Sequence, residues 1–156
     1  VNIKHVLEYK VPTTFITQEV EALDKLSKIA SSEDYVLTWW DYGYPIRYYA
    51  GVKTLVDGGK HSGEVNFPVS FALTHNFVAA ANMARLDVEY TDMVEVAKEL
   101  HKPLKTDGFI EDMMKKYNFK DVNQFLEALN NPNFKLPKKT RDIYFYFPFR
   151  MADIYP

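Results

Sequence analysis

The run Tyr35-Val36-Leu37-Thr38-Trp39-Trp40 constrains the fold more than any other stretch of this chain. Its residues are almost all apolar, β-branched or aromatic, and it lies between the polar Ser31-Ser32-Glu33-Asp34 and the carboxylate of Asp41. A strand with one wet face alternates in polarity. An unbroken run of this kind is covered on both faces, as in sheets flanked by helices. Two later runs share the character, Thr54-Leu55-Val56 and Ile143-Tyr144-Phe145-Tyr146-Phe147.

The stretches between these runs read as helices. Thr17 followed by Gln18, Glu19 and Glu21 forms an N-cap with an acidic first turn, and Val20, Leu23, Leu26 and Ile29 then share one face. Pro45 to Ala50 makes a short helix stopped by Gly51. After the loop Asp57-Gly58-Gly59-Lys60-His61-Ser62-Gly63, helices are predicted over Phe67 to Leu73, Asn76 to Leu86, Thr91 to His101, Asp107 to Tyr117 and Asp121 to Asn130. Pro148 opens a last one carrying Arg150, Met151 and Ile154. Strands separated by helices predict an α/β fold, a helix-rich single domain around a small, mostly parallel sheet of about three strands. Parallel strands bring their C-terminal ends to one edge, where open α/β sheets take their ligands. Asp41, Asp57 and the Met151 helix all follow such ends.

Composition narrows the function by exclusion. A chain of 156 residues that is 47% hydrophobic can bury one core and is not disordered. A net charge of -2 leaves no basic stripe for nucleic acid. The absence of cysteine removes disulfides, thiol catalysis and thiolate zinc sites. His5, His61, His75 and His101 are too widely spaced for a His-x-x-x-His zinc pair. No apolar stretch is long enough to span a bilayer. The chain opens on Val1 without Met and stops at Pro156 a turn into a helical run, so we expect a larger protein around it.

Trp39, Trp40 and Asp41 carry the chemistry. Two indole N–H donors and a carboxylate acceptor within one turn of backbone can grip a hydroxyl while the rings exclude water. A plainer reading stands beside it: adjacent strand residues face opposite layers, so each indole can simply pack in the core, and Asp41 can cap the Pro45 helix. Asp57-Gly58-Gly59-Lys60-His61 reads as a flexible turn or as a phosphate cradle, though it lacks the P-loop spacing. Asp41 with Asp57 at one sheet edge also allows a small hydrolase, and the indoles allow a stacking platform for carbohydrate or peptide.

Trp39-Trp40-Asp41-Tyr42-Gly43 resembles the WWDYG signature of the oligosaccharyltransferase catalytic subunit. Tyr44-Pro45-Ile46-Arg47-Tyr48-Tyr49, the Asp57 to His61 loop, Ala79 to Leu86 and Lys139-Thr140-Arg141-Asp142-Ile143-Tyr144 are similar to its bacterial single-subunit branch. Met151-Ala152-Asp153-Ile154 matches the first half of a second family motif, Met-x-x-Ile. The resemblance implies a soluble central-core domain over residues 1–156, with a transmembrane region before it, further soluble structure after it, and a location on the periplasmic face of the bacterial inner membrane. It implies recognition of an Asn-x-Ser/Thr sequon in an acceptor polypeptide during transfer of a glycan from a lipid diphosphate to asparagine. By resemblance Trp39, Trp40 and Asp41 bind the Ser or Thr hydroxyl, Ile154 supported by Met151 touches the Thr methyl, and Tyr42 and Gly43 are structural parts of the motif. Tyr44, Lys60 and His61 are candidates for contact with the lipid-linked glycan. The family's Mn²⁺ or Mg²⁺ is held by membrane-domain loops outside this chain, so no catalytic residue and no metal ligand is assigned here. The fragment alone is expected to be inactive.

Overall fold

The computed structural model describes residues 15–153, so Ile154 lies outside the described residues. The chain runs α1 (Thr17–Ile29), β1 (Tyr35–Leu37), α2 (Gly43–Ala50), β2 (Lys53–Thr54), α3 (Asn66–Thr74), α4 (Phe77–Glu99), α5 (Phe109–Tyr117), α6 (Val122–Ala128) and β3 (Ile143–Phe145). Single turns of 3-10 helix occupy Trp40–Tyr42 and Gly63–Val65, and a longer one Phe149–Asp153. The strands form a three-stranded parallel sheet in the order β2-β1-β3, with Tyr35 opposite both Lys53 and Ile143 and Leu37 opposite Phe145. An α/β single domain with a parallel sheet is what the strand-and-helix pattern predicts.

Alternation along β1 sorts the core into two layers. Tyr35 and Leu37 pack with α3, α4, α5 and α6, while Val36 packs with Leu23 of α1, with Ile46 and Ala50 of α2, and with Met151. All three β1 residues are completely buried, which explains why the run carries no polar alternation. The β1–β2 crossover lies on one face and the β2–β3 crossover runs the other way across the other face. The two therefore share one hand, as the right-handed twist of strands demands. Order 2-1-3 also puts a topological switch point between the C-terminal ends of β1 and β3.

Several boundaries differ from the sequence reading. Thr17 is the first helical residue rather than the cap, and Glu19 reaches back to accept the Ile16 N–H at 3.3 Å. The first strand ends at Leu37, so Trp39 and Trp40 lie beyond the ladder; the second pairs only through Thr54, although Leu55 and Val56 are buried against the helices. Asn76 to Leu86 and Thr91 to His101 are one continuous 23-residue helix, α4. No Gly or Pro breaks Asp87-Val88-Glu89-Tyr90, and Thr91 is not a cap: its hydroxyl donates to Asp87 one turn back at 3.3 Å. Strand β3 stops at Phe145, and the Pro148 helix is a 3-10 segment beginning at Phe149. Asp121, the first residue of the predicted helix, is instead its cap and accepts the Gln124 N–H, while Gly51 ends α2 in the left-handed region at φ 67°, as the sequence predicts.

The opposite, N-terminal edge of the sheet is stapled by charge. Arg141 grips Asp92 with both guanidinium nitrogens at 2.5 and 2.7 Å, Lys53 pairs with Glu33 at 2.7 Å, and Asp34 accepts the Asp142 N–H at 2.8 Å. Tyr35 completes the network by donating to Glu95 at 3.1 Å; burial, with Glu95 and Asp92 beside it, pushes its hydroxyl pKa upward. Polar staples therefore hold one edge, and the aromatic cluster occupies the other.

Candidate functional site

The site is built where β1 and β3 end. After Leu37 the chain stays extended through Trp39 (φ -69°, ψ 148°), then turns into the 3-10 segment Trp40–Tyr42 and directly into α2. Trp39 packs on the α1–α2 layer and Trp40 on the α3–α6 layer, each half-buried. Opposite layers were the plainer reading of the pair, and half-burial leaves each indole an accessible part. Asp41 is half-buried too. Tyr42, not Asp41, holds the cap position of α2, and the Asp41 carboxylate accepts no hydrogen bond among the described residues. The Trp40 indole N–H likewise donates to no described group.

From β3, the segment Phe149–Asp153 comes to the same edge. Met151 is 3% exposed and its Sδ accepts the Thr38 hydroxyl at 3.7 Å, joining residues 113 positions apart. It is therefore a buried clamp between the two strand ends rather than an exposed ligand contact. Tyr42 is buried in the same layer, edge-on to Tyr146 with ring centroids 5.9 Å apart. Burial raises the pKa of both phenols, that of Tyr146 to about 12. Neither hydroxyl has a hydrogen-bond partner among the described residues.

Gly43 is required by packing. A Cβ there would stand 2.4 Å from the Asp57 Cβ and 2.5 Å from the Val56 carbonyl oxygen, so the last residue of the pentapeptide lets α2 rest directly on the β2 exit. Asp57, 4% exposed, organises that exit. One carboxylate oxygen accepts the Gly59 and Lys60 N–H groups at 2.8 Å each, and the other meets Arg47 at 3.0 Å. Arg47 also donates to the Thr54 hydroxyl at 3.0 Å.

These contacts decide between the loop's alternatives. The Gly59 and Lys60 N–H groups that a phosphate cradle needs are already donating inward, so the loop is an Asx-turn, not a cradle. Asp57 is occupied structurally, both carboxylate oxygens being held by Arg47 and by its own turn. Gly58 and Gly59 are small because the exposed Tyr44 ring lies across them: a Cβ would approach it to 2.8 and 2.7 Å. Lys60 turns away from the indoles to pair with Glu95 of α4 at 3.1 Å. His61 turns toward them, stacked on Trp40 with centroids 4.5 Å apart and planes 21° off parallel. Of the three candidate glycan contacts, Tyr44 is exposed, His61 lies against an indole and Lys60 is ion-paired.

Sequence reasoning gave no role to Arg47 or to Asp87. The latter is 5% exposed on α4, and burial raises its carboxyl pKa to about 7 despite nearby Lys60 and the Thr91 hydroxyl. A charged residue between Leu86 and Val88, on the face that continues across the supposed helix break, was the available signal. Asp87, Lys60, Glu64 and Thr91 line a cavity of about 140 Å³ on that side of the loop.

The model of the STT3/PglB/AglB core domain matches residues 32–156. The chain belongs to this family. It is 54% identical over 152 residues to the undecaprenyl-diphosphooligosaccharide–protein glycotransferase of Campylobacter jejuni strain RM1221, and 53% identical to that of a serotype O:2 strain. Each match covers 97% of this chain but 21% of the relative, so the chain spans about a fifth of the length of these curated relatives. Among solved structures, the C. jejuni PglB C-terminal domain superposes with a TM-score of 0.77 at 55% identity, covering 87% of this chain and 49% of that one. No described helix of this core domain is long and apolar enough to cross a membrane. No group of three His, Asp or Glu side chains among the described residues could hold a metal ion.

Proposed function

We propose that this core domain is the acceptor-recognition part of an oligosaccharyltransferase that, at full length, transfers a glycan from a lipid diphosphate to the asparagine of an Asn-x-Ser/Thr sequon. Residues 1–156 form one unit within that longer enzyme, between a transmembrane region and further soluble structure, on the periplasmic face of the membrane. The lipid-linked glycan is met mainly through the membrane part, and a Mn²⁺ or Mg²⁺ ion is held there. No step on this chain runs through a metal.

One observation carries the reading: Asp41, half-buried directly after the two indoles where β1 ends, has an acceptor that no described group uses. A sequon hydroxyl donates its proton to Asp41 and accepts from an indole N–H. A substrate without that hydroxyl strands these groups in a half-dry site and is rejected strongly. Ile154 keeps the methyl-contact role given by resemblance, worth about 0.8 kcal/mol for Thr over Ser. Met151 supports it by fixing the backbone of the Phe149–Asp153 segment from beneath.

The test is a titration of the labelled chain with a sequon peptide and with its Ala-for-Thr control, following the two indole signals by NMR. The sequon peptide should shift them, the control should not, and Asp41→Asn should reduce the difference. Identical responses to both peptides would refute the hydroxyl pocket.

A further inference from the structure

Trp40 is half-buried and its indole N–H has no described partner, so no hydrogen bond among the described residues fixes the ring plane. Its one ring partner among the described residues is His61. His61 is fixed from behind in turn. Its Nδ1 lies 3.2 Å from the Asp57 carbonyl oxygen, which can only accept, so the proton sits on Nδ1 and this nitrogen donates. The His61 carbonyl is held by the Asn66 side chain. Asp57 is itself locked by Arg47 and by the Gly59 and Lys60 N–H groups. An unbroken series of contacts therefore runs from Arg47 on α2 through Asp57 and His61 to the face of Trp40.

We propose that His61 is a positioning residue for acceptor binding: stacked on Trp40 and anchored to the Asp57 carbonyl, it holds the indole N–H at the angle that meets the acceptor hydroxyl. This rests on the hydroxyl-pocket reading above. It gives the Asp57 to His61 loop a task, because the loop's turn, not a charge or a phosphate cradle, presents a flat ring to the indole. What the site needs from His61 is a flat face in a fixed place. Its nitrogens serve the anchor and not the ligand.

Two variants separate that role from direct ligand contact. His61→Ala removes the stack, and His61→Phe keeps a flat ring while removing both nitrogens. The chain has two tryptophans, so its two indole NMR signals are assigned with Trp39→Phe. His61→Ala should move the Trp40 signal, leave that of Trp39 and weaken the sequon peptide about three- to tenfold, the range of one aromatic pair. His61→Phe, which brings back the flat ring without its anchor, should recover part of both the signal and the affinity, and comparable melting temperatures for the three proteins confirm that folding is not the cause. An unmoved Trp40 signal in His61→Ala overturns the proposal. So does a His61→Phe chain whose Trp40 signal returns toward the wild-type position while its affinity stays at the His61→Ala level, since the imidazole nitrogens would then contact the ligand. Should the wild-type indoles respond alike to sequon and control peptides, the pocket reading fails, and the Trp40 signal of His61→Ala decides the stack by itself.

Discussion

Gly43→Ala should destabilise the chain although it improves a helix residue. Gly43 has ordinary helical torsions (φ -59°, ψ -52°), so on backbone grounds alone alanine is more stable by about 0.5–1 kcal/mol. Packing opposes this. The new methyl would meet the Asp57 Cβ at 2.4 Å and the Val56 carbonyl oxygen at 2.5 Å, about 1 Å inside ordinary contact. Both obstacles belong to, or sit next to, the backbone of a buried segment, and neither can swing aside like the end of a flexible side chain. Relief requires α2 to lift by about 1 Å, which stretches the 3.0 Å Arg47–Asp57 contact beyond hydrogen-bond range. Overpacking of this kind costs about 1–3 kcal/mol, and loss of the part-exposed charged hydrogen bond adds about 1–2 kcal/mol, so after the helix gain the net change is destabilising by about 1–4 kcal/mol. Urea denaturation at constant m-value reads this directly. A Gly43→Ala chain as stable as the parent, or more stable, would refute the close approach of α2 to the β2 exit.

Arg47→Ala should cost about 1–2 kcal/mol, because Asp57 is buried but Arg47 is partly exposed. Arg47→Lys should recover only part of it, since an ammonium does not reproduce the planar fork that serves both Asp57 and Thr54; equal denaturation midpoints for all three would contradict the structural role of the pair. Asp87→Asn should stabilise the chain in a pH-dependent way. The Asp87 pKa is raised from 3.8 to about 7 on folding, so the parent is not penalised below pH 4, loses stability as pH rises toward 7, and carries the full penalty above it. The gain from Asn should be near zero at pH 4 and reach up to about 4 kcal/mol at pH 8. A gap that does not change with pH would mean that Asp87 is not buried as an acid.

The parallel sheet and its position among helices were legible because burial on both faces leaves a local mark, the unalternating run from Tyr35. Element ends were less legible. Trp39 and Trp40 have strand chemistry but lie past the ladder, and Asp87 to Tyr90 resembled a gap only because a carboxylate interrupts an apolar face. The site's membership was legible in part: Trp39, Trp40, Asp41 and the Met151 segment do meet at one sheet edge.

By itself, the sequence determined the layer order, the family and the placement of a two-indole, one-carboxylate cluster at a strand end, all of which depend on residues adjacent or periodic along the chain. Tertiary structure decided which of those groups remain available. Asp57 is consumed by Arg47 and its own turn, Lys60 by Glu95 and Met151 by Thr38, while Asp41 is left with an open acceptor and Trp40 with a histidine against its face. The reason is physical. A side chain's chemistry is set by its residue type, but its spare hydrogen-bonding capacity is what remains after every neighbour in space has been satisfied, and neighbours such as Thr38 and Met151 are far apart in sequence.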